Sequence, residues 1–358
     1  MFCFFCKKVF FMCIIISSNL RKILNLLKIV RSIIKIFREP YFYLWEINFP
    51  TTFLFCLFLT ACGKEKTTVV WQEQTSRVIF DLRAVHFYDT QNGIICGGKT
   101  WESGFILRTK DGGATWETDS LLNKGFYGLG TEGDKTWIVG NSGHVFEFSK
   151  NDTTIRWVGQ PFDAWFRDVA VRGQTGFMVG GQAWQVGKIV RFDVETGKKQ
   201  QLDTFPQELA SVYFSDDSTI HAVGYGLVLR SIDKGKTWQA QPDLKHDFFQ
   251  SVCFPSEKIG YIVGQNGAIL KTTDSGASWV YLQKSKNIGN PRFRAVFFTD
   301  ILRGWICGED SVLWRTTDGG ASWQIVEGLP KNDFYDIFAS DTEGVLVGNG
   351  GRIITFSF

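Results

Sequence analysis

From residue 67 onward the chain runs in short apolar segments, each cut off by glycine, asparagine or aspartate. Seven times an apolar pair ends in glycine: Ile95-Cys96-Gly97, Ile138-Val139-Gly140, Met178-Val179-Gly180, Ala222-Val223-Gly224, Ile262-Val263-Gly264, Ile306-Cys307-Gly308 and Leu346-Val347-Gly348. The glycines are spaced 43, 40, 44, 40, 44 and 40 residues apart. Short β-branched and aromatic runs bounded by turn residues predict strands, and a repeat near this length predicts the four-stranded blade of a β-propeller. The expected fold is all-β, a seven-bladed β-propeller over residues 67–358. Its seventh unit stops at Phe356-Ser-Phe358, before a fourth strand. Val69-Val-Trp-Gln-Glu73 is similar to the segments that open the fourth strand elsewhere, Trp116-Glu-Thr and Trp323-Gln-Ile-Val. It is expected to close the ring as the outer strand of the last blade, leaving no open sheet edge.

Residues 1–62 follow another pattern. They hold long apolar runs, a basic segment from Arg21 to Arg38, and Cys3, Cys6, Cys13 and Cys56, and they read as a leader rather than as part of the fold. The leader ends Leu59-Thr60-Ala61-Cys62, which resembles a bacterial lipobox. Cleavage there leaves Cys62 to carry the lipid, with an acylated amine as second anchor and residues 63–66 as a short tether. The competing reading is a transmembrane anchor left in place, but the apolar run is about ten residues and a span needs about twenty. A start codon set too far upstream accounts for the leader's length. The expected location is outside the cytoplasm, anchored to a bacterial membrane on its periplasmic or cell-surface side.

Removing the leader changes the charge picture. The whole chain has 39 basic and 36 acidic residues, yet 31 basic and 34 acidic ones remain beyond Cys62, a net of −3. That gives no reason to expect nucleic-acid binding. Cys96, Cys253 and Cys307 each sit in an apolar run and read as buried free thiols. His86, His144, His221 and His246 are scattered, so neither a metal site nor a cofactor is expected.

Four units carry one turn between their third and fourth predicted strands: Leu107-Arg-Thr-Lys-Asp-Gly-Gly-Ala-Thr-Trp116, Leu229-Arg-Ser-Ile-Asp-Lys-Gly-Lys-Thr-Trp238, Leu270-Lys-Thr-Thr-Asp-Ser-Gly-Ala-Ser-Trp279 and Trp314-Arg-Thr-Thr-Asp-Gly-Gly-Ala-Ser-Trp323. An active site built four times over is not expected. The turn reads as structural: Asp111, Asp233, Asp274 and Asp318 accept backbone N–H groups, the glycine two residues on takes positive φ, and the tryptophan packs between blades. These residues resemble the Asp-box, Ser/Thr-x-Asp-x-Gly-x-Thr/Ser-Trp, of sialidases, sortilin-type receptors, some glycoside hydrolases and the photosystem II stability and assembly factors. With seven repeat units, this style of box in four of them and the lipobox, the chain most resembles the last of these families, over nearly all of residues 67–358. The box marks a blade type more strongly than a function.

Each unit opens with a short run before its innermost strand, and the second residues of these runs should stand at one height around the axis. In ring order they are Arg294, Tyr335, Arg83, Tyr127 and Arg167, then Ala210 and Gln250. Three guanidiniums separated by two phenols would rim one mouth of the channel. The loops after the second strands of units 1 and 3 add Trp101 and Trp184 to that face, and the box turns lie on the opposite one. Guanidiniums and aromatics together suit an anionic partner. The plainer alternative pairs the arginines with Asp168, Asp336 or other loop acids, closing the channel. The family resemblance implies a non-enzymatic binding or assembly factor, a monomeric propeller presenting its arginine face to a protein partner, with no catalytic residue. The rival is a sialidase-like glycoside hydrolase or a glycan-binding module using the same rim, with Asp168 and Asp336 as candidate acids. Its signature sequence, Phe/Tyr-Arg-Ile-Pro, is absent here.

Overall fold

The computed structural model describes residues 69–357 apart from 158–163, 183–184, 242–243, 245–246 and 285–290. The leader, the tether, Cys62, Trp184 and His246 lie outside the described residues.

The strands form seven four-stranded antiparallel sheets, one per repeat. Blade 1 comprises Leu82–Phe87, Gly93–Lys99, Ser103–Thr109 and Glu117–Leu122, and blades 2 to 6 follow the same order outward from the axis. Blade 7 is completed from the other end of the chain. Val70–Gln74 pairs antiparallel with Ile353–Ser357, placing Val70 opposite Ser357 and Gln74 opposite Ile353. The expected closure is therefore present.

The second strand of a blade is covered on both sides, which is why it reads as an unbroken apolar run rather than as an alternation. Gly260–Gly264 and Gly304–Gly308 are buried along their whole length. The core is divided into seven clusters, one at each interface between neighbouring blades, such as Trp137, Val139 and Val145 of blade 2 against Phe166, Met178 and Val190 of blade 3. Each fully buried Phe, Leu or Val stabilises the ring by about 1.5–3 kcal/mol relative to exposure.

The recurring glycine has a steric cause. A Cβ at Gly97, Gly140, Gly180, Gly224, Gly264, Gly308 or Gly348 would stand 1.9–2.3 Å from a carbonyl oxygen at the start of its own blade's first strand. Only hydrogen fits where the second strand returns so close to the start of the first.

The four turns repeat one hydrogen-bond pattern. In blade 1, Thr115 N–H and Oγ1 donate to Asp111 at 2.9 and 2.5 Å, Thr109 Oγ1 donates to Asp111 at 2.7 Å, and Gly113 N–H donates to Thr109 Oγ1 at 2.9 Å. The same bonds recur at Asp233, Asp274 and Asp318. Bonds from the Thr115 and Thr237 hydroxyls are the largest cause holding the Asp111 and Asp233 carboxyls down to about 2. Trp116, Trp238, Trp279 and Trp323 each pack into the core shared with the preceding blade.

Candidate binding face at the channel mouth

A residue of 1% exposure or less opens the shared inner-strand pattern of every blade: Leu82, Phe126, Phe166 (one after that strand's first residue, Trp165), Leu209, Phe249, Phe293 and Phe334. Between it and the third residue the pairing with the second strand shifts register in all seven blades. The second residue is thus a β-bulge each time, an extra residue left out of the ladder whose side chain is re-aimed. These bulge residues are the ring read from the sequence: Arg83, Tyr127, Arg167, Ala210, Gln250, Arg294 and Tyr335, all half-buried.

The arc is continuous. The Arg83 guanidinium carbon lies 5.3 Å from the ring centroids of both Tyr127 and Tyr335. Arg167 lies 4.7 Å from Tyr127 and 5.7 Å from Trp165, and Arg294 lies 5.7 Å from Tyr335. Each arginine therefore rests on the face of at least one aromatic ring, a cation–π arrangement that fixes its plane.

Each arginine also has a counter-ion. Arg83 bonds Asp81 at 2.7 Å, Arg167 bonds Glu208 at 2.7 Å, and Arg294 bonds Glu309 together with Gln250 at 3.3 Å. The plainer expectation was right that loop acids pair with the rim, but these acids are not Asp168 and Asp336. Donors remain beyond these pairs: the Nε–H groups of Arg83 and Arg294 are buried with no hydrogen-bond partner.

Asp168 and Asp336 stand one residue deeper, at the third position of blades 3 and 7, and link blades. Asp336 accepts Val85 N–H of blade 1 at 2.9 Å, and Asp168 accepts Ser211 Oγ–H at 2.9 Å and Val212 N–H at 3.0 Å of blade 4. Ser211 and Ser251 continue the series, accepting Val252 N–H and Val296 N–H of the next blades at 3.5 and 3.3 Å. Both carboxyls face an axial cavity of about 400 Å³ below the rim. Burial pushes Asp168 up to about 6 and Asp336 up to about 7. As glycosidase acids they are compromised by these main-chain bonds.

Sequence reasoning missed three contributors to the rim. Tyr225 follows the glycine that ends the second strand of blade 4 and sits among Gln250, Glu208, Arg167 and Arg294, on the side where Ala210 leaves the ring short; burial raises its phenol. Glu309 occupies the corresponding position in blade 6. Trp165, the first residue of blade 3's inner strand and two before its bulge residue Arg167, stacks on Tyr127 at 6.5 Å. The signal was available, because the residue after the repeated glycine donates its N–H to the carbonyl just before the inner strand in blade after blade: Gly98 to Asp81 at 2.7 Å, Tyr225 to Glu208 at 3.0 Å, Glu309 to Arg292 at 3.0 Å. That register makes it a second set of mouth positions.

Trp101 stands in the loop between the second and third strands of blade 1, 60% exposed and with φ of 66°. Its neighbour Thr100 bonds the Tyr127 hydroxyl, which ties this loop to the arc.

A family model described as photosynthesis system II assembly factor YCF48 matches residues 244–353. A photosystem II assembly protein Ycf48 from Synechococcus sp. (strain JA-2-3B'a(2-13)) is 28% identical over 193 residues, covering 49% of this chain and 55% of that protein. The match thus spans about half the length of that relative. The chain is a seven-bladed propeller similar to photosystem II assembly factors over these residues. Among solved structures, that of YCF48 bound to D1 peptide superposes with a TM-score of 0.64 at 20% identity, covering 80% of this chain and 97% of that one. The virginiamycin B lyase of Staphylococcus aureus superposes equally well, with a TM-score of 0.66 at 12% identity over 81% of this chain and 99% of the lyase. One propeller fold therefore serves a lyase and an assembly factor alike, and what distinguishes one such propeller from another is its mouth.

Proposed function

We propose that this protein acts without catalysis, as an assembly-type factor whose arginine face holds an anionic segment of a protein partner while lipid on Cys62 keeps it at a membrane surface outside the cytoplasm. The arc Arg294, Tyr335, Arg83, Tyr127 and Arg167 carries this reading, because seven bulges turn one residue per blade toward the axis and five adjacent ones are cationic or phenolic. A guanidinium already resting on a ring and paired on one side is held in place for a second carboxylate, with little side-chain freedom left to lose. The existing counter-ions make the exchange selective: a single weak anion gains little, and a segment with several carboxylates gains at each arginine in turn. The resemblance in repeat type supports an assembly role. The D1 peptide held by the YCF48 propeller supports an extended protein segment as the class of partner.

The glycoside-hydrolase reading has one observation in its favour, a pair of raised carboxyls in a channel. Against it stands the use of both carboxylates as inter-blade links. Affinity capture from solubilised membranes, comparing the wild type with an Arg83/Arg167/Arg294→Ala triple variant, tests the proposal. A partner retained by the wild type and lost by the variant supports it. Equal capture by both, or glycosidase turnover abolished by the arginine changes, overturns it.

A further inference from the structure

The ring's closing strand also fixes where the chain enters the propeller. Val70 lies opposite Ser357, and Ser357 lies opposite Glu343, at the end of blade 7 where its first two strands turn. This is the face that carries the Asp111, Asp233, Asp274 and Asp318 turns. The opposite end of blade 7 approaches the arginine mouth, where Gly350 N–H reaches Asp81 at 3.4 Å. The chain preceding Val70 therefore arrives at the turn face, far from the ring.

That face exposes large apolar side chains in both blade 6 and blade 7. Val70 is 73% exposed, and the first turn of blade 6 presents Ile301 and Leu302 at 46% and 52%. The two blades meet there through the Arg303–Asp341 ion pair, with Thr299 Oγ1 donating to Asp341 at 3.4 Å and Arg315 donating to its carbonyl at 3.0 Å. The Ile301-Leu302 tip is held rigid, since Asp300 accepts Leu302 N–H at 2.7 Å and Arg303 N–H at 2.9 Å. Two large apolar side chains on a fixed turn form an apolar tip on the same face at which Val70 enters the propeller.

We propose that this corner of blades 6 and 7 rests on the lipid bilayer, so that the arginine ring points away from the membrane that anchors the protein. The inference rests on lipidation of Cys62, and its force comes from chain length. Seven residues, 63–69, separate Cys62 from Val70. Fully extended they reach at most about 25 Å. Turning the arginine mouth to the bilayer would force this tether back along the whole height of blade 7, leaving it nearly taut. Resting on the turn face leaves it slack and covers Val70, Ile301 and Leu302, as interfacial apolar side chains prefer. The partner of the ring is consequently met on the aqueous side, at a distance from the lipid set by the depth of the propeller.

The test uses the processed, lipidated protein in phosphatidylcholine vesicles carrying a nitroxide-labelled lipid. An environment-sensitive dye is placed at Leu302→Cys in one variant and at Glu102→Cys, beside the arginine mouth, in another; the native thiols Cys96, Cys253 and Cys307 are buried. The dye at position 302 should be quenched and blue-shifted, and that at 102 should be neither. Inserting twenty Gly/Ser residues after Lys64 should weaken the difference between them. Quenching equal at both positions, or stronger at 102, overturns the orientation while leaving the anchor intact. Vesicle retention unchanged by Cys62→Ala overturns the anchor reading, and the tether argument with it.

Discussion

The two faces of the propeller use repetition in opposite ways. On the turn face one arrangement is copied four times, and its bonds agree from blade to blade: the backbone N–H that closes on the aspartate is 2.9 Å away at Asp111, Asp233, Asp274 and Asp318 alike. On the mouth face the backbone is copied seven times, as a bulge, and the side chain changes from arginine to tyrosine, alanine and glutamine. Where backbone and side chain repeat together, the residues serve folding. Where only the backbone repeats, each side chain is free to be selected for what it meets. The largest expected effects on stability therefore lie on the turn face, and those on binding at the mouth.

Gly276→Ala should give the largest effect of all. Gly276 has φ of 72°, and a Cβ there would stand 2.4 Å from Cε1 of His221, a fully buried ring stacked on Phe254 with centroids 4.2 Å apart. Strained backbone and overpacking together should cost about 2–4 kcal/mol, read as a lower denaturant midpoint. Partner binding at a temperature where the variant is folded should be unchanged. A variant as stable as the wild type would show that the turn does not support the ring.

The Arg83/Arg167/Arg294→Ala variant probes the other side of the comparison. Charge-assisted hydrogen bonds are the strong ones, but each arginine here exchanges part of an existing pair for the partner's carboxylate. The expected loss is roughly tenfold to a hundredfold in affinity, about 1.4–2.7 kcal/mol in total, with a melting temperature near that of the wild type. Adding salt should narrow the gap between the two proteins, since charges met at a water-facing rim, where the three arginines are 27–32% exposed, are screened. A collapse in stability instead would make the arc part of the scaffold.

The blade count, the closure of blade 7 and the order of the ring were legible because they follow from period and strand polarity, which sequence spacing carries directly. The counter-ions were not. Asp81 lies two residues before Arg83, but Glu208 is 41 and Glu309 is 15 residues from the arginine it meets. The Arg167–Glu208 pair joins blades 3 and 4 and depends on how they are rotated, which no repeat within one blade encodes, whereas Arg294–Glu309 lies within blade 6 and follows from the register of its first two strands. Asp168 and Asp336 were placed on the correct inner strands, yet their bonds to the next blade's backbone follow only once the blades are set side by side.

The raised carboxyl of Asp336 separates those two roles by pH. Its folded pKa of about 7 lies above an ordinary unfolded aspartate near 3.9, so the folded state binds the extra proton. The favourable contribution is fully present below about pH 4 and is lost as pH rises through 7. The wild type should thus be less stable at pH 8 than at pH 5 on account of this group. Asp336→Asn, which keeps an acceptor for Val85 N–H, should flatten that slope and be the more stable protein at pH 8, by about 1–3 kcal/mol after allowing for water in the axial cavity. Parallel stability–pH curves would refute this assignment. Asp168→Asn should act the same way over a window ending near pH 6.

The smallest expected change in stability is also the sharpest test of what the mouth is for. Trp101 holds φ of 66°, a left-handed conformation costly for any side chain, and most of its surface faces water. Nothing in the blade's own packing requires a tryptophan there: it belongs to no core cluster, whereas the box tryptophans all do. Glycine adopts this backbone freely, so Trp101→Gly should leave the melting temperature unchanged or raise it slightly, by less than about 1 kcal/mol. A residue kept in a strained and exposed position is expected to be kept for contact. If Trp101 is an anchor beside the arginine arc, the same variant should bind the captured partner about tenfold more weakly, an aromatic anchor being worth more than its exposed rim neighbours. Unchanged affinity would remove Trp101 from the binding face and confine that face to the bulge residues of the ring.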